Sequence, residues 1–202
     1  MKFYRIVGRS LMPEWGDYGD MLQHGMAAHL PRRGEQLALE RTGPYIPPIT
    51  LPGIGDIVLT DSAKSVLQAS GLTGYTLRVV EKVRIVYLPW ENWDLSTPEP
   101  PIFPDSGEPE DYILGQQHSP EVADALGDLW EIVVVPTVKI IRPEKIVFPP
   151  SYEGFKINLS TWNGDDLFRG VDFGSILFSE RAYGFFSEHW SMYAGFEEFS
   201  TA

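Results

Sequence analysis

The sequence predicts an α+β fold, built mostly of antiparallel strands with a few short helices. Three observations support this class: short runs of alternating apolar and polar residues, hydroxyl residues placed to begin short helices, and Gly- or Pro-containing turns between them. With 202 residues, 43% of them hydrophobic, the chain is long enough to bury the core of one large domain or two small ones.

The elements of the N-terminal part are clearest after residue 55. Residues 2–7 alternate as a strand does, whereas residues 8–55 show no sustained period and include a Pro-rich run at 43–48 that should be extended. Thr60 is placed to cap a helix that ends at Gly71. We therefore predict strands over residues 56–59, 75–80 and 82–88, with a helix between the first two.

The second half begins with a Pro-rich stretch. Five prolines between Pro98 and Pro109 exclude regular structure there, and Ser119-Pro120-Glu121 then indicates the start of a short helix that ends near Gly127. The Asn163-Gly164 pair is typical of a hairpin turn. Further strands are predicted over residues 131–135, 137–141 and 145–148.

Two segments have the same order of elements. Asp56–Ala63 aligns with Ser175–Ala182, and the apolar pair Val66-Leu67 aligns with Phe185-Phe186. This predicts a duplicated strand–helix–strand unit over 56–80 and 175–199. Coincidence is the alternative explanation, because each shared feature is a general folding signal.

We divide the chain into an N-terminal α+β lobe, an acidic Pro-rich segment with a short helix, and a C-terminal α+β lobe that packs with the first. Their bounds are 1–88, 89–130 and 131–202.

Composition predicts the compartment. The chain has no Cys, which excludes disulfides and thiolate metal sites. Residues 1–7 lack the apolar run of a signal peptide, and no stretch approaches the roughly 20 apolar residues of a membrane span. We expect a cytoplasmic protein without a membrane partner.

The negative charge is concentrated in one segment. The net charge is −12, and residues 85–138 contain eleven acidic residues and no Lys or Arg. Direct nucleic-acid binding is therefore disfavoured, because phosphate contacts need clustered basic residues. An acidic field instead accelerates association with a basic protein partner. The alternative is that the segment is simply a solvated acidic loop.

Motifs for catalysis or for a cofactor are absent. The four histidines (His24, His29, His118 and His189) do not have metal-ligand spacing, and the acids at 163–172 do not have the spacing of a calcium loop. Phosphate-binding loops and the serine-hydrolase elbow are also missing. We predict no metal, no cofactor and no enzymatic activity, with a hydrolase that uses paired carboxylates as a weaker alternative.

Two tryptophans stand at the start of the acidic segment. Trp90 and Trp93 alternate with acids, and tryptophan is enriched at the centres of protein interfaces, although it is also a common core residue. We expect one of them to be buried and the other to contact a partner. A stacking platform for a glycan or a small molecule is the alternative. The predicted partner-binding residues are Trp90, Glu91, Trp93, Asp94, Asp105, Glu108, Glu110, Asp111, Glu121, Asp124 and Asp128.

The stretch from Asp56 to Lys82, DIVLTDSAKSVLQASGLTGYTLRVVEK, resembles bacterial immunity proteins of polymorphic toxin systems, as does the opening MKFYRIV. It is most similar to the myxobacterial-type proteins, whose relatives include a double-CXXCG paralogous group. The resemblance covers about half of the chain, and the lack of Cys means that no zinc ribbon carries over. It implies a protein that binds and blocks a toxin encoded by the neighbouring gene. Many such toxins are nucleases with basic surfaces, and no catalytic residues transfer from the family.

Overall fold

The computed structural model describes residues 1–28, 36–144 and 152–202. The helices are α1 (Asp17–His24), α2 (Asp61–Ala69), α3 (Asp111–Leu114), α4 (Pro120–Ala125) and α5 (Glu180–Trp190). The strands are β1 (Phe3–Gly8), β2 (Met26–Ala27), β3 (Ala38–Gly43), β4 (Ile49–Gly53), β5 (Asp56–Thr60), β6 (Thr76–Val79), β7 (Glu81–Tyr87), β8 (Leu129–Val133), β9 (Pro136–Val138), β10 (Ile140–Ile141), β11 (Lys156–Ile157), β12 (Leu167–Gly170), β13 (Ile176–Ser179) and β14 (Ala194–Phe199). The predicted α+β class is confirmed, and the strand predicted at 145–148 lies outside the described residues.

The strands form two main sheets and two small ones. The larger sheets have the orders β14-β1-β13-β12-β9 and β4-β5-β8-β6, and the smaller ones are β2-β3-β7 and β10-β11. Pairing is antiparallel except between β9 and β12 and between β3 and β7. No helix in the described residues is both long and apolar enough to cross a bilayer.

The two predicted strand–helix–strand units share one connectivity. The first is β5–α2–β6 and the second is β13–α5–β14. In each, a third strand lies antiparallel between the outer two: β8 separates β5 from β6, and β1 separates β13 from β14. A hairpin partner precedes each unit as well, β4 before β5 and β12 before β13. Each unit is therefore a split β–α–β arrangement completed by a strand from elsewhere in the chain.

Equivalent residues of the two units meet in one core. The largest hydrophobic cluster includes four aligned pairs of residues, one member of each pair from each unit. These are Ile57, Leu59, Ala63 and Leu67, aligned with Ile176, Phe178, Ala182 and Phe186. Because β1 completes the C-terminal unit and β8 completes the N-terminal one, segments 1–88 and 131–202 exchange strands and share this core.

Two local features differ from expectation. Residues 8–55, without a predicted period, contain α1 and the strands β2 to β4, and β3 is buried at all six positions. The Asn163-Gly164 turn connects β11 to β12, which belong to different sheets, so it is a turn between strands but not a hairpin. The hairpin expectation was wrong because the strand partner of β12 is β13, which lies further along the chain.

Candidate partner-binding site

Residues 93–110, which we call the acidic loop, contain no helix or strand and yet are fixed at three points. Trp15 Nε1 donates to the carbonyl of Thr97 at 2.8 Å, and Tyr18 OH donates to that of Gly107 at 2.6 Å. Tyr112 OH donates to the carbonyl of Ile102. The aromatic donors belong to or adjoin α1 and α3, so hydrogen bonds tether the loop to both helices.

Local hydrogen bonds also shape the ends of the loop. The Asp94 carboxylate accepts from the hydroxyl of Ser96 at 2.6 Å and from its backbone N–H at 3.1 Å. Hydrogen bonds from the Ser96 side chain and then from its backbone lower the pKa of Asp94. At the other end, Ser106 Oγ accepts from the N–H of Glu108 at 3.1 Å. Asp94 thus fixes a turn in addition to carrying charge.

A cleft of about 630 Å³ opens between α1, β1, the β4–β5 turn and the end of the acidic loop. Five carboxylates line it: Asp17, Asp20, Asp56, Glu108 and Glu110. Four of them form no ion pair with any described residue: Asp17, Asp20, Glu108 and Glu110. Partial burial raises the pKa of Asp20, and a Ser10 hydrogen bond opposes this rise.

The groups in this cleft that could carry positive charge do not neutralise the acids. Of the described residues that line it, Arg5 is the one Lys or Arg, and its guanidinium contacts Glu197 at 2.5 Å and lies 4.1 Å from the Tyr152 ring centre. His24 is buried, and burial followed by the nearby Arg41 charge lowers its pKa to about 4. His24 is therefore neutral at pH 7, and the cleft is negative.

The predicted acids are distributed over several places. Glu108 and Glu110 reach the cleft, and Asp111, which begins α3, follows them directly. Glu91 is half-buried, and its Oε2 atom has no hydrogen-bond partner among the described residues. The remaining acids are exposed, Asp94 and Asp105 in the acidic loop, and Glu121, Asp124 and Asp128 in and after α4. Because α4 packs on β7 through the cluster around Ile85, the last three lie on a different structural element from the cleft.

The two tryptophans have different environments. Trp90 has no exposed surface; its Nε1 donates to Thr42 Oγ1 at 3.1 Å and its ring meets Tyr45 edge-on. Trp93 is half-buried near Trp15. Trp90 is therefore a core residue, which corrects its inclusion among the contact residues. The pair cannot form the stacking platform that a glycan-binding module would need.

Helix α1 and the β4–β5 turn contribute cleft residues that the sequence did not predict. Asp17 and Asp20 are one helical turn apart, so they share a face of α1. That spacing was readable from the sequence, but α1 itself was not predicted. From the sequence, Asp56 is predicted only to begin a strand. The exposed apolar residues Ile102 and Phe103 of the acidic loop were also not identified.

The described residues contain no group of three or more His, Asp or Glu side chains that could hold a metal ion, and His29 lies outside these residues. No protein-family model and no curated protein matches the chain.

Proposed function

We propose that this chain is a bacterial immunity protein, which binds a cognate toxin in the cytoplasm and neutralises it through the acidic loop and the adjoining cleft. The observation that carries the proposal is the convergence of Asp17, Asp20, Glu108 and Glu110 on one open cleft without a cationic partner among the described residues. A toxin with a basic surface, such as a nuclease, supplies the missing positive charge.

Electrostatics explains how such a surface would work. Carboxylates held close together repel each other, and a basic partner relieves this repulsion when it docks. Acids at the rim of the interface steer the encounter and so raise the association rate, whereas buried contacts set the dissociation rate. Because the loop is fixed by Trp15, Tyr18 and Tyr112, little conformational entropy is lost on binding.

The proposal predicts that the gene immediately upstream of this chain's gene encodes a large protein with a basic C-terminal domain, and this domain is the partner used in the test. Coexpression of this chain should restore growth to cells that the domain inhibits. Stopped-flow association should slow by an order of magnitude or more between 0.01 M and 0.1 M salt, since the Debye length falls from roughly 30 Å to 10 Å.

Charge reversal localises the effect. Changing Glu108, Glu110 and Asp111 to Lys should slow association and leave folding intact. The matched control reverses three exposed acids outside the acidic loop, Glu144, Glu153 and Glu188, and so makes the same change in net charge. Association that is indifferent both to salt and to the first triple reversal would refute the electrostatic contact, and absence of growth rescue would refute the immunity function.

A further inference from the structure

We propose that Ile102 and Phe103 form the apolar anchor of the toxin-binding surface and determine how long the toxin remains bound; the inference rests on the proposed function. They are the large apolar side chains that the acidic loop exposes, with 54% and 45% of their surface accessible. Trp90, which the sequence suggested for this role, has no exposed surface. We therefore assign the apolar contact of the site to the Pro-rich part of the loop in place of Trp90.

The structure holds this pair outward. The Phe103 ring packs edge-on against Tyr18, with ring centres 5.0 Å apart, and the Ile102 carbonyl accepts from Tyr112 OH. Pro101 precedes the pair and Pro104 follows it, and each proline restricts its own φ angle and the residue before it. The side chains are thus exposed on a stiff backbone that has an aromatic support, which keeps the entropic cost of binding small.

The surroundings of the pair select the partner. Asp105 follows it in the loop, and Asp17 flanks Tyr18 on α1, the residue that supports Phe103. No Lys or Arg occurs anywhere in residues 85–138. An apolar patch in a negative field fits a basic protein surface with an apolar recess. A second copy of this chain would bring the same negative field and would be repelled.

The two parts of the surface then have separable kinetic roles. Apolar side chains at the centre of an interface act mainly on dissociation, and charges around them act mainly on association. Changing both Ile102 and Phe103 to Ser should accelerate dissociation by roughly 10- to 100-fold and change the association rate by less than about threefold. Reversing Glu108, Glu110 and Asp111 should have the opposite pattern.

The experiment measures association and dissociation rates of the full chain with the C-terminal domain encoded immediately upstream. The Ile102→Ser/Phe103→Ser variant is compared with Ile141→Ser/Val171→Ser, whose side chains are 45% and 48% exposed and lie outside the acidic loop. Thermal unfolding checks that each variant is folded. As a second measurement that leaves the rest of the loop intact, a photocrosslinking phenylalanine analogue is placed at position 103 and, as its control, at position 171.

The outcomes separate the anchor from the function. Faster dissociation in the first variant alone, with crosslinking from position 103 and not from 171, supports the anchor. Tight binding by the wild-type chain, with unchanged dissociation in the first variant and no crosslink from position 103, overturns the anchor and leaves the immunity function standing. Failure of the wild-type chain to bind the domain overturns the function and the anchor together.

Discussion

Thr60 and Ser179 occupy the same position at two strand–helix junctions. The hydroxyl of each accepts a hydrogen bond from the backbone N–H three residues later, that of Ala63 at 3.3 Å and that of Ala182 at 3.2 Å. Each hydroxyl makes one further hydrogen bond: Thr60 Oγ1 lies 3.0 Å from the hydroxyl of the exposed Ser62, whereas the Ser179 hydroxyl donates to the buried Asp166 at 2.8 Å. The two split units are therefore capped alike, and only the second cap is part of a buried polar network.

This difference predicts unequal costs for one substitution. Thr60→Ala should lower the free energy of unfolding by about 1 kcal/mol, the usual cost of losing an N-cap. Ser179→Ala should cost about 2–3 kcal/mol, because it also removes a donor from a buried carboxylate. Urea unfolding at pH 7 measures both. Equal costs would mean that the bond to Asp166 contributes nothing to stability.

Asp166 connects the second unit to the turn after α2. Its buried carboxylate accepts from the backbone N–H of Thr73 at 3.1 Å and from Arg181 Nη1 at 2.9 Å, in addition to the Ser179 hydroxyl. Asp166→Asn should lower the free energy of unfolding by about 2–4 kcal/mol, since it removes the charge that Arg181 pairs with and places an NH2 group where either the Thr73 N–H and Arg181 face it or the Ser179 hydroxyl must reverse its bond. The control is Asp165→Asn, which affects one bond to the exposed Asn163 and should cost less than about 1 kcal/mol. Similar losses in the two variants would contradict the network.

A glycine also allows a close approach between the first unit and β12, the hairpin partner of the second unit. Gly74 has a φ of +89°, and a Cβ atom there would lie 2.0 Å from the carbonyl oxygen of Leu167. Gly164 has a similar φ of +94°, but a Cβ atom there would meet no atom of a described residue within 4 Å. Gly164→Ala should cost about 1–3 kcal/mol through backbone strain alone, and Gly74→Ala should cost clearly more or prevent folding. Thermal unfolding compares the two, and a Gly74→Ala protein as stable as Gly164→Ala would refute the close packing.

The strand–helix units could be predicted because their signals are local. A buried strand, a hydroxyl N-cap and an apolar pair one turn later lie within a dozen consecutive residues. Strand β3 could not be predicted, because Glu40, Arg41 and Thr42 are buried in succession and leave no alternation. Some of the groups that pair with these buried polar side chains are distant in sequence. Arg84 lies 3.4 Å from Glu40, and Arg41 donates to the carbonyls of Thr42 and Gln23.

The candidate site could be predicted only in part for a related reason. The charge of the acidic loop is a property of composition, so Glu108 and Glu110 were identified from the sequence. The cleft depends on the tertiary approach of α1, which local pattern does not encode. Trp90 and Trp93 share a sequence context, and only their positions over Thr42 and near Trp15 decide which one is fully buried.

His24 makes stability depend on pH in a defined window. Its Nδ1 accepts from the N–H of Leu51 at 3.3 Å, and its pKa is about 4 in the folded chain, against about 6.5 in the unfolded chain. As the pH falls from 6.5 towards 4, the unfolded state binds a proton that the folded state does not, so the folded state loses stability. The loss should reach about 2–3 kcal/mol at pH 4.5. Urea unfolding of the wild type and of His24→Gln, measured over this pH range, isolates the contribution of His24 to the free energy of unfolding. The carboxylates titrate in both proteins, so their contribution cancels in the difference. Parallel pH profiles would show that His24 does not contribute.

The cleft carboxylates should reduce the stability of the free protein. Selection for folding alone would not favour such a destabilising group of charges. Glu108 and Glu110 face other acids and have no ion-pair partner among the described residues. Changing both to Gln should raise the Tm by about 1–3 °C at low ionic strength, and added salt should remove the difference by screening. Asp61→Asn is the control with opposite sign, since Asp61 pairs with Lys64 at 2.6 Å and accepts from Trp130 Nε1 at 3.0 Å, so its loss should lower the Tm. A lower Tm in the double Gln variant would mean that these carboxylates stabilise the free chain. A role in folding would then account for the negative charge of the cleft, without a binding partner.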